Sequence, residues 1–369
     1  MSSKACSLRI TINDRLRSIL GIRTFFPFEG QKLLNQTSYN TTSALAAWYD
    51  ISTSFADGVM QHFVGPEYNR DLDTVQAVYE AYPKEKAHIE YALSTNVRGR
   101  ELATRLAIAG IGVTPGSNYL DIGCAYGGFL HAFKALGLNV LGVEIDPTVA
   151  KLADLNLSST GSKLSIKVGD ILTDDTNLIN GTRFDLITCN DVIEHVADPF
   201  HCLQKIYEYL KPGGVAYVET VNKRSAINVA KDIHFGHFGI TLLDHHSASA
   251  AYKQVSGWHE YQVSDFFVLE WYLSKAKQLG GDVDVVGGNS SDYNAEQATR
   301  LLFESHAEWK ATAFIKLDPF LQYEIEHRLF SYCADFFSAR QIAHETGNLS
   351  NFIQTWVDPV VRFTIRKAD

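Results

Sequence analysis

The sequence predicts an α/β fold: a doubly wound, mostly parallel sheet of seven strands, with a helical N-terminal region and a helical insertion before the last strand. Three observations predict it. From about residue 117, short apolar runs alternate with helical stretches, the pattern of parallel strands joined by right-handed crossovers. Ahead of that point, residues 1–115 carry apolar side chains at three- and four-residue spacing, as in 74–82 and 98–108. Beyond it, residues from about 288 to 356 read as helical again, rich in Glu, His and aromatics, before a last apolar alternation at 360–365.

Each element has its own signal. Residues 118–122 form a short apolar strand and 127–136 a helix. A second strand spans 140–145, and the helix after it begins at Pro147, a residue suited to a first helical turn. Residues 164–168 and 184–189 supply the third and fourth strands, followed by a helix over 198–210. The fifth strand covers 215–220, a helix 264–279 and the sixth strand 282–286. The chain therefore divides into a helical region, 1–115, read as a lid or oligomer contact, and a sheet domain, 116–369, with an insertion at about 288–356. A separate C-terminal helical domain is the competing parse.

Composition narrows the function classes. Hydrophobic residues at 46% and charged residues at 20% exclude a disordered chain. A formal charge of −9 speaks against nucleic acid as the partner, because phosphate-binding surfaces are basic. No run reaches the roughly 20 apolar residues of a membrane span. The five cysteines are odd in number and lack CxxC spacing, which points to a reducing, cytoplasmic setting. Lys4, Arg9, Arg15, Arg17 and Arg23 alternate with Leu8, Ile10, Ile12, Leu16, Ile19 and Leu20. Such an arm suits a surface helix packed on the core or on a second subunit; weak contact with an anionic membrane is the lesser reading.

The chemistry concentrates where strands end. Asp121-Ile-Gly123-Cys-Ala125-Tyr126-Gly-Gly128 runs from a strand through a glycine turn into a helix, whose N-terminal N–H groups suit an anion. Nucleotide-binding folds of several chemistries share that turn. Asp121 is more discriminating: a carboxylate at this strand end can organise the loop and meet an ammonium, but would repel a pyrophosphate. Glu144, ending the second strand about 20 residues later and followed by Ile145, can accept both ribose hydroxyls of an adenosine. Asp170, after Gly169, can accept from an adenine amino group while Ile171 packs on the ring. Any one of these acids alone reads as a turn residue. Three at successive strand ends do not.

Taken with Asn190-Asp191-Val-Ile-Glu194-His195-Val-Ala-Asp-Pro199 and Leu210-Lys-Pro-Gly-Gly214, these motifs resemble the ordered set of class I S-adenosylmethionine-dependent methyltransferases, in particular the subgroup acting on small molecules and sugars. The resemblance covers about 117–222. It implies S-adenosyl-L-methionine as cofactor, contacted by Asp121, Gly123, Glu144, Asp170 and Ile171, with Ala125, Tyr126 and Ile145 in the same loops. Asn190 and Asp191 would lie near its methionine part. Ala125 departs from the glycine usual in the family, and a slightly shifted loop is expected.

Transfer to a hydroxyl needs a positioned base, an effect of about 10²–10⁴ in rate. His195, His234, His237 and Asp191 are the candidate catalytic residues. His245 and His246 are read as loop packing, and Trp258-His259-Glu260-Tyr261 as a second polar–aromatic cluster. Lys223 and Arg224 could hold an anionic acceptor. The density of His and Asp also raises a divalent-metal site, which some sugar-directed methyltransferases use, but no motif such as HExxH occurs and a His base is the preferred reading, so no metal ligands are assigned. The expected acceptor is a small molecule or sugar, in a chain that could form a homo-oligomer. A nicotinamide-dependent oxidoreductase and a non-catalytic scaffold are the alternatives, and the intact acids disfavour both.

Overall fold

The structure, a computed structural model, describes residues 40–158, 165–173, 178–257, 261–287 and 292–369. The basic arm at 4–23 and residues 258–260 of the second cluster lie outside the described residues. Packing divides the described chain into two units, residues 40–188 with 209–214 and residues 189–208 with 215–369, and each is described by itself. The division falls within the fourth strand, whereas the boundary drawn from the sequence is near residue 115.

Among the described residues, the first unit begins with five helices: α1 (Thr41–Tyr49), α2 (Thr53–Phe63), α3 (Val75–Ala81), α4 (Lys86–Leu93) and α5 (Thr95–Ile108). Asn40, Ser52 and Thr74 cap the first three, their side chains accepting the N–H groups of Ser43, Phe55 and Ala77. Then follow β1 (Asn118–Ile122), α6 (Gly128–Ala135), β2 (Asn139–Glu144), α7 (Pro147–Ser158), β3 (Ser165–Val168) and β4 (Phe184–Asn190), whose last two residues belong to the second unit. Leu45, Phe55, Val59, Met60, Ile89 and Leu93 of the helices gather with Tyr126 and Leu152 in one buried cluster. Helices α5 and α6 touch at Gly99 and Gly128. A Cβ on Gly128 would stand 2.1 Å from the Thr95 carbonyl oxygen, and one on Gly99 2.1 Å from that of Gly128. Only glycine permits this approach. The parallel register pairs Asp121 with Gly142 and Glu144 with Val168, so the carboxylates emerge on one edge of the strands.

The second unit contains α8 (Pro199–Tyr209), β5 (Leu210–Val221), α9 (Ala226–Ala230), α10 (His245–Ser256), α11 (Leu269–Gln278), β6 (Asp282–Val285), α12 (Asp292–Ala311), α13 (Pro319–Thr346), α14 (Leu349–Trp356) and β7 (Val360–Arg366); the first residues of β5 belong to the first unit. The helices predicted before the last strand are α12 to α14. Asp318 caps α13 by accepting from Phe320 and Leu321, Pro319 opens it, and Gly347 closes it. Strand β7 runs antiparallel to both β5 and β6. Past β5 the chain is stitched down. Asn222 Nδ2 donates to the carbonyls of Gln354, Thr355 and Asp358, and Ser225 Oγ to that of Val357.

The strands hydrogen-bond in the order β3-β2-β1-β4-β5-β7-β6. This is the mostly parallel, seven-stranded α/β sheet expected. Strand bounds move from the predicted ones by a residue or two, except that β5 starts five residues early, at Leu210. Among the described residues, no helix is long and apolar enough to cross a membrane, and Cys124, Cys189, Cys202 and Cys333 form no disulfide.

Candidate functional site

In the first unit, Asp121 ends β1 with 2% of its surface exposed. Thr188 Oγ1 lies 2.6 Å from its Oδ1, and the Tyr119 hydroxyl 2.6 Å from Thr188 Oγ1. An ionised carboxylate only accepts, so Thr188 donates to Asp121 and Tyr119 donates to Thr188. Burial, with the nearby charge of Glu144, raises the Asp121 pKa to about 7 against the hydrogen bond of Thr188. No ion pair to either carboxylate is present among the described residues.

Glu144 holds the turn. Its Oε2 accepts the Ala125 N–H at 2.9 Å and its Oε1 that of Asp146 at 3.0 Å. Gly123 and Cys124 both donate to the Val143 carbonyl, and Gly123 takes φ +69°. Ala125 takes φ +42°. The departure from glycine thus shows as a left-handed backbone. Tyr126 turns its ring into the helical cluster, 6.5 Å from Phe55 and 6.3 Å from Tyr91, and its carbonyl accepts from Asn156. Asp170 Oδ1 accepts the Leu172 N–H at 2.9 Å, Ile171 is buried, and Ile145 is 68% exposed.

In the second unit, Asn190 ends β4 and Asp191 follows it. Asn190 Oδ1 is buried with no hydrogen-bond partner. Asp191 takes φ +53° and its N–H donates to the Glu219 carbonyl. Glu194 is fully buried. Its Oε2 accepts from Thr220 Oγ1 at 2.9 Å, its backbone carbonyl accepts from Ser264, and its Oε1 has no hydrogen-bond partner. Burial pushes its pKa up to about 7. His195, exposed, contacts the Gln262 carbonyl through Nδ1 at 2.8 Å. Its Nε2 lies 3.0 Å from His234 Nε2, which is 3.8 Å from Glu194 Oε1. The loop bearing His234 is shaped by buried Asp232, whose Oδ1 accepts from His234 and Phe235 and whose Oδ2 accepts from His237. Burial, then the neighbouring His195, lowers the His234 pKa to about 4, so its imidazole is neutral at pH 7.

Of the four candidate catalytic residues, the structure brings His195 and His234 together. His237 turns away, its ring 5.4 Å from Tyr252, onto an apolar cleft walled by Phe238, Trp309 and Ile325. His245 Nδ1 bonds the Val263 carbonyl and His246 is exposed. Arg224 pairs with Glu270 at 2.5 Å. Burial lowers the Lys223 pKa. Sequence reasoning singles out Glu194 only together with His195, as candidates for the base or a loop-shaping pair, and misses the organising role of Asp232. No local signal marks Asp232.

Residues 90–275, half of the chain, match the family model described as a methyltransferase domain. The chain is similar to the ubiquinone biosynthesis O-methyltransferase of Xanthomonas campestris pv. campestris, 30% identical over 130 residues, covering 35% of this chain and 51% of the relative. With the enzyme of that name from Colwellia psychrerythraea it is 34% identical over 104 residues, 28% and 42% of the two chains. The chain thus spans about half the length, or less, of the curated relatives it matches. Among solved structures it is similar to phosphoethanolamine N-methyltransferase 2 of Haemonchus contortus in complex with S-adenosyl-L-methionine, at 16% identity, 79% and 60% coverage and a TM-score of 0.39.

Proposed function

The chain belongs to the methyltransferase-domain family, and from that premise we propose that it transfers a methyl group from S-adenosylmethionine to an oxygen of a small molecule or sugar. One observation carries the cofactor: a buried carboxylate, Asp121, raised in pKa beside Glu144 and facing no protein cation among the described residues. A cofactor with an ammonium and a sulfonium supplies the missing positive charge, whereas the pyrophosphate of a nicotinamide dinucleotide would add a third negative group. The residues present in the first unit fit the cofactor: Asp121 for its ammonium, Glu144 for ribose hydroxyls, Asp170 and Ile171 for adenine. When bound, it supplies an electrophilic methyl carbon and a good leaving group.

The chain's own residues have two further tasks. The glycine turn, pinned by Glu144, fixes the cofactor loop before binding, so little ordering remains to be done. The Glu194–His195–His234 group, with a neutral imidazole at pH 7, takes the proton of the acceptor hydroxyl. The O-methyltransferase names of the curated relatives favour oxygen as the acceptor atom. The test is calorimetry with S-adenosylhomocysteine. The wild-type chain binds it, and Asp121→Asn, which keeps shape and removes charge, weakens binding about 10- to 100-fold, the range of a charge-assisted hydrogen bond. Equal affinity in the two, or no binding in either, refutes the assignment.

A further inference from the structure

Helix α13 is apolar on two faces, and the fold of its own unit uses one of them. Leu321, Ile325, Leu329, Tyr332 and Phe336 are buried. At about 100° per residue, the opposite face carries Phe320, Tyr323, His327, Phe330, Ala334 and Phe337, all exposed. They follow one another at steps of three, four, three, four and three residues, the spacing of a seam between two packed helices. Phe320, Tyr323, Phe330 and Phe337 are between 39% and 77% exposed. Phe303 of α12, 53% exposed, stacks against Phe337 with ring centroids 6.2 Å apart. Apolar residues scattered singly over a surface need no partner. A continuous aromatic stripe does.

We propose that this stripe pairs with the same stripe of a second copy of the chain, helix against antiparallel helix, about a two-fold axis. The spacing of the stripe reads the same in both directions. A second α13 laid antiparallel therefore meets every stripe residue with another: Phe320 with Phe337, Tyr323 with Ala334, and His327 with Phe330. A two-fold contact needs such self-complementarity, residue i meeting j and j meeting i. A large Tyr323 opposite a small Ala334 lets the helices close. The area suits a stable pair. At about 200 Å² for an aromatic side chain, the exposed fractions of the five aromatics leave roughly 600 Å² per copy, most of the roughly 800 Å² that each partner gives a stable interface. Charge favours a second copy over a lipid surface. Beside the stripe, Glu324 pairs with Arg328 and Glu326 with Lys310, so its borders are not a block of one sign. A helix that lies on an anionic membrane carries Lys and Arg along its polar face. In α13 the acids Glu324, Glu326, Asp335 and Glu345 outnumber Arg328 and Arg340, in a chain of formal charge −9.

The pairing does not depend on the methyl-transfer reading. The test is sedimentation of the full chain over about 1–100 µM, where an interface of this size holds. Two chains per particle are expected for the wild type. Phe330→Glu should weaken association about 100-fold or more, because the change enters twice and sets carboxylates at the centre of the contact. Ala334→Glu, which suits an exposed helical position, should do the same by standing against Tyr323. Ile108→Glu, at the exposed end of α5, leaves the pair intact. Far-UV circular dichroism checks that the variants fold; residues 330 and 334 are exposed, so helicity should not change. Orientation is read by mixing Phe320→Cys with Phe337→Cys chains: on mild oxidation they should cross-link to each other faster than either links to itself. Faster self-linking overturns the antiparallel arrangement. A wild-type chain still monomeric at about 100 µM, or Phe330→Glu and Ala334→Glu pairing like the wild type, overturns the proposal. So does a monomer that floats with phosphatidylcholine–phosphatidylserine vesicles and loses them in Phe330→Glu, a result that would give the face to lipid.

Discussion

Ala125 sits at φ +42°, where the Cβ of an L-residue crowds the backbone at a cost of about 1–2 kcal/mol. Its N–H is nevertheless held by Glu144, so the loop keeps a conformation the side chain disfavours. Ala125→Gly should therefore stabilise the fold by about 1 kcal/mol, part of the gain being offset by the looser unfolded chain. Urea unfolding reads this directly, and a loss of stability would show that the alanine methyl packs usefully. Residue chemistry is legible where it is local: the places of Asp121, Glu144 and Asp170 at or just after strand ends can be read from the sequence. It is less so where folding brings distant residues together. His195 and His234 could be nominated as types, but their contact depends on the loop shaped by Asp232, a buried side chain with no signature of its own.

At the scale of elements, the join between α5 and α6 admits no side chain. Gly128→Ala places a methyl carbon 2.1 Å from the Thr95 carbonyl, which backbone cannot yield without parting the helices. Destabilisation of about 3 kcal/mol or more is expected, within the range for severe overpacking, seen as a drop in melting temperature; a change under about 1 kcal/mol would mean that the helices separate easily. Sequence alone suggested that the glycines of this turn serve the ligand. For Gly123 the positive φ agrees with a tight turn, whereas Gly128 serves helix contact. The alternation of strands and helices was readable because each strand is a short apolar run. The early start of β5 was not, because Lys211-Pro-Gly-Gly214 has the composition of a turn.

For the molecule as a whole, pH should leave a mark on stability through Glu101. This carboxyl is 6% exposed, and burial raises its pKa from 4.5 to about 8 despite Arg105, Arg98 and Arg100 nearby. The folded chain thus prefers the protonated form. Its contribution is fully present below about pH 4.5 and is lost as pH rises toward 8. Glu101→Gln should flatten that decline and make the chain more stable by about 2 kcal/mol above pH 8, with the two melting profiles converging in acid. Parallel profiles would refute it. The role of the N-terminal helices was hidden in the sequence, since nothing there says what covers their apolar faces. They cover Tyr126, a residue of the glycine turn itself. The helices before β1 are thus a foundation of the turn, and not a detachable accessory. Trimming the chain to its sheet would remove one wall of the socket that seats Tyr126, and natural variation in α2 or α4 would be felt in how well the turn keeps its shape. Selection on the shape of the turn then reaches the helices that seat Tyr126.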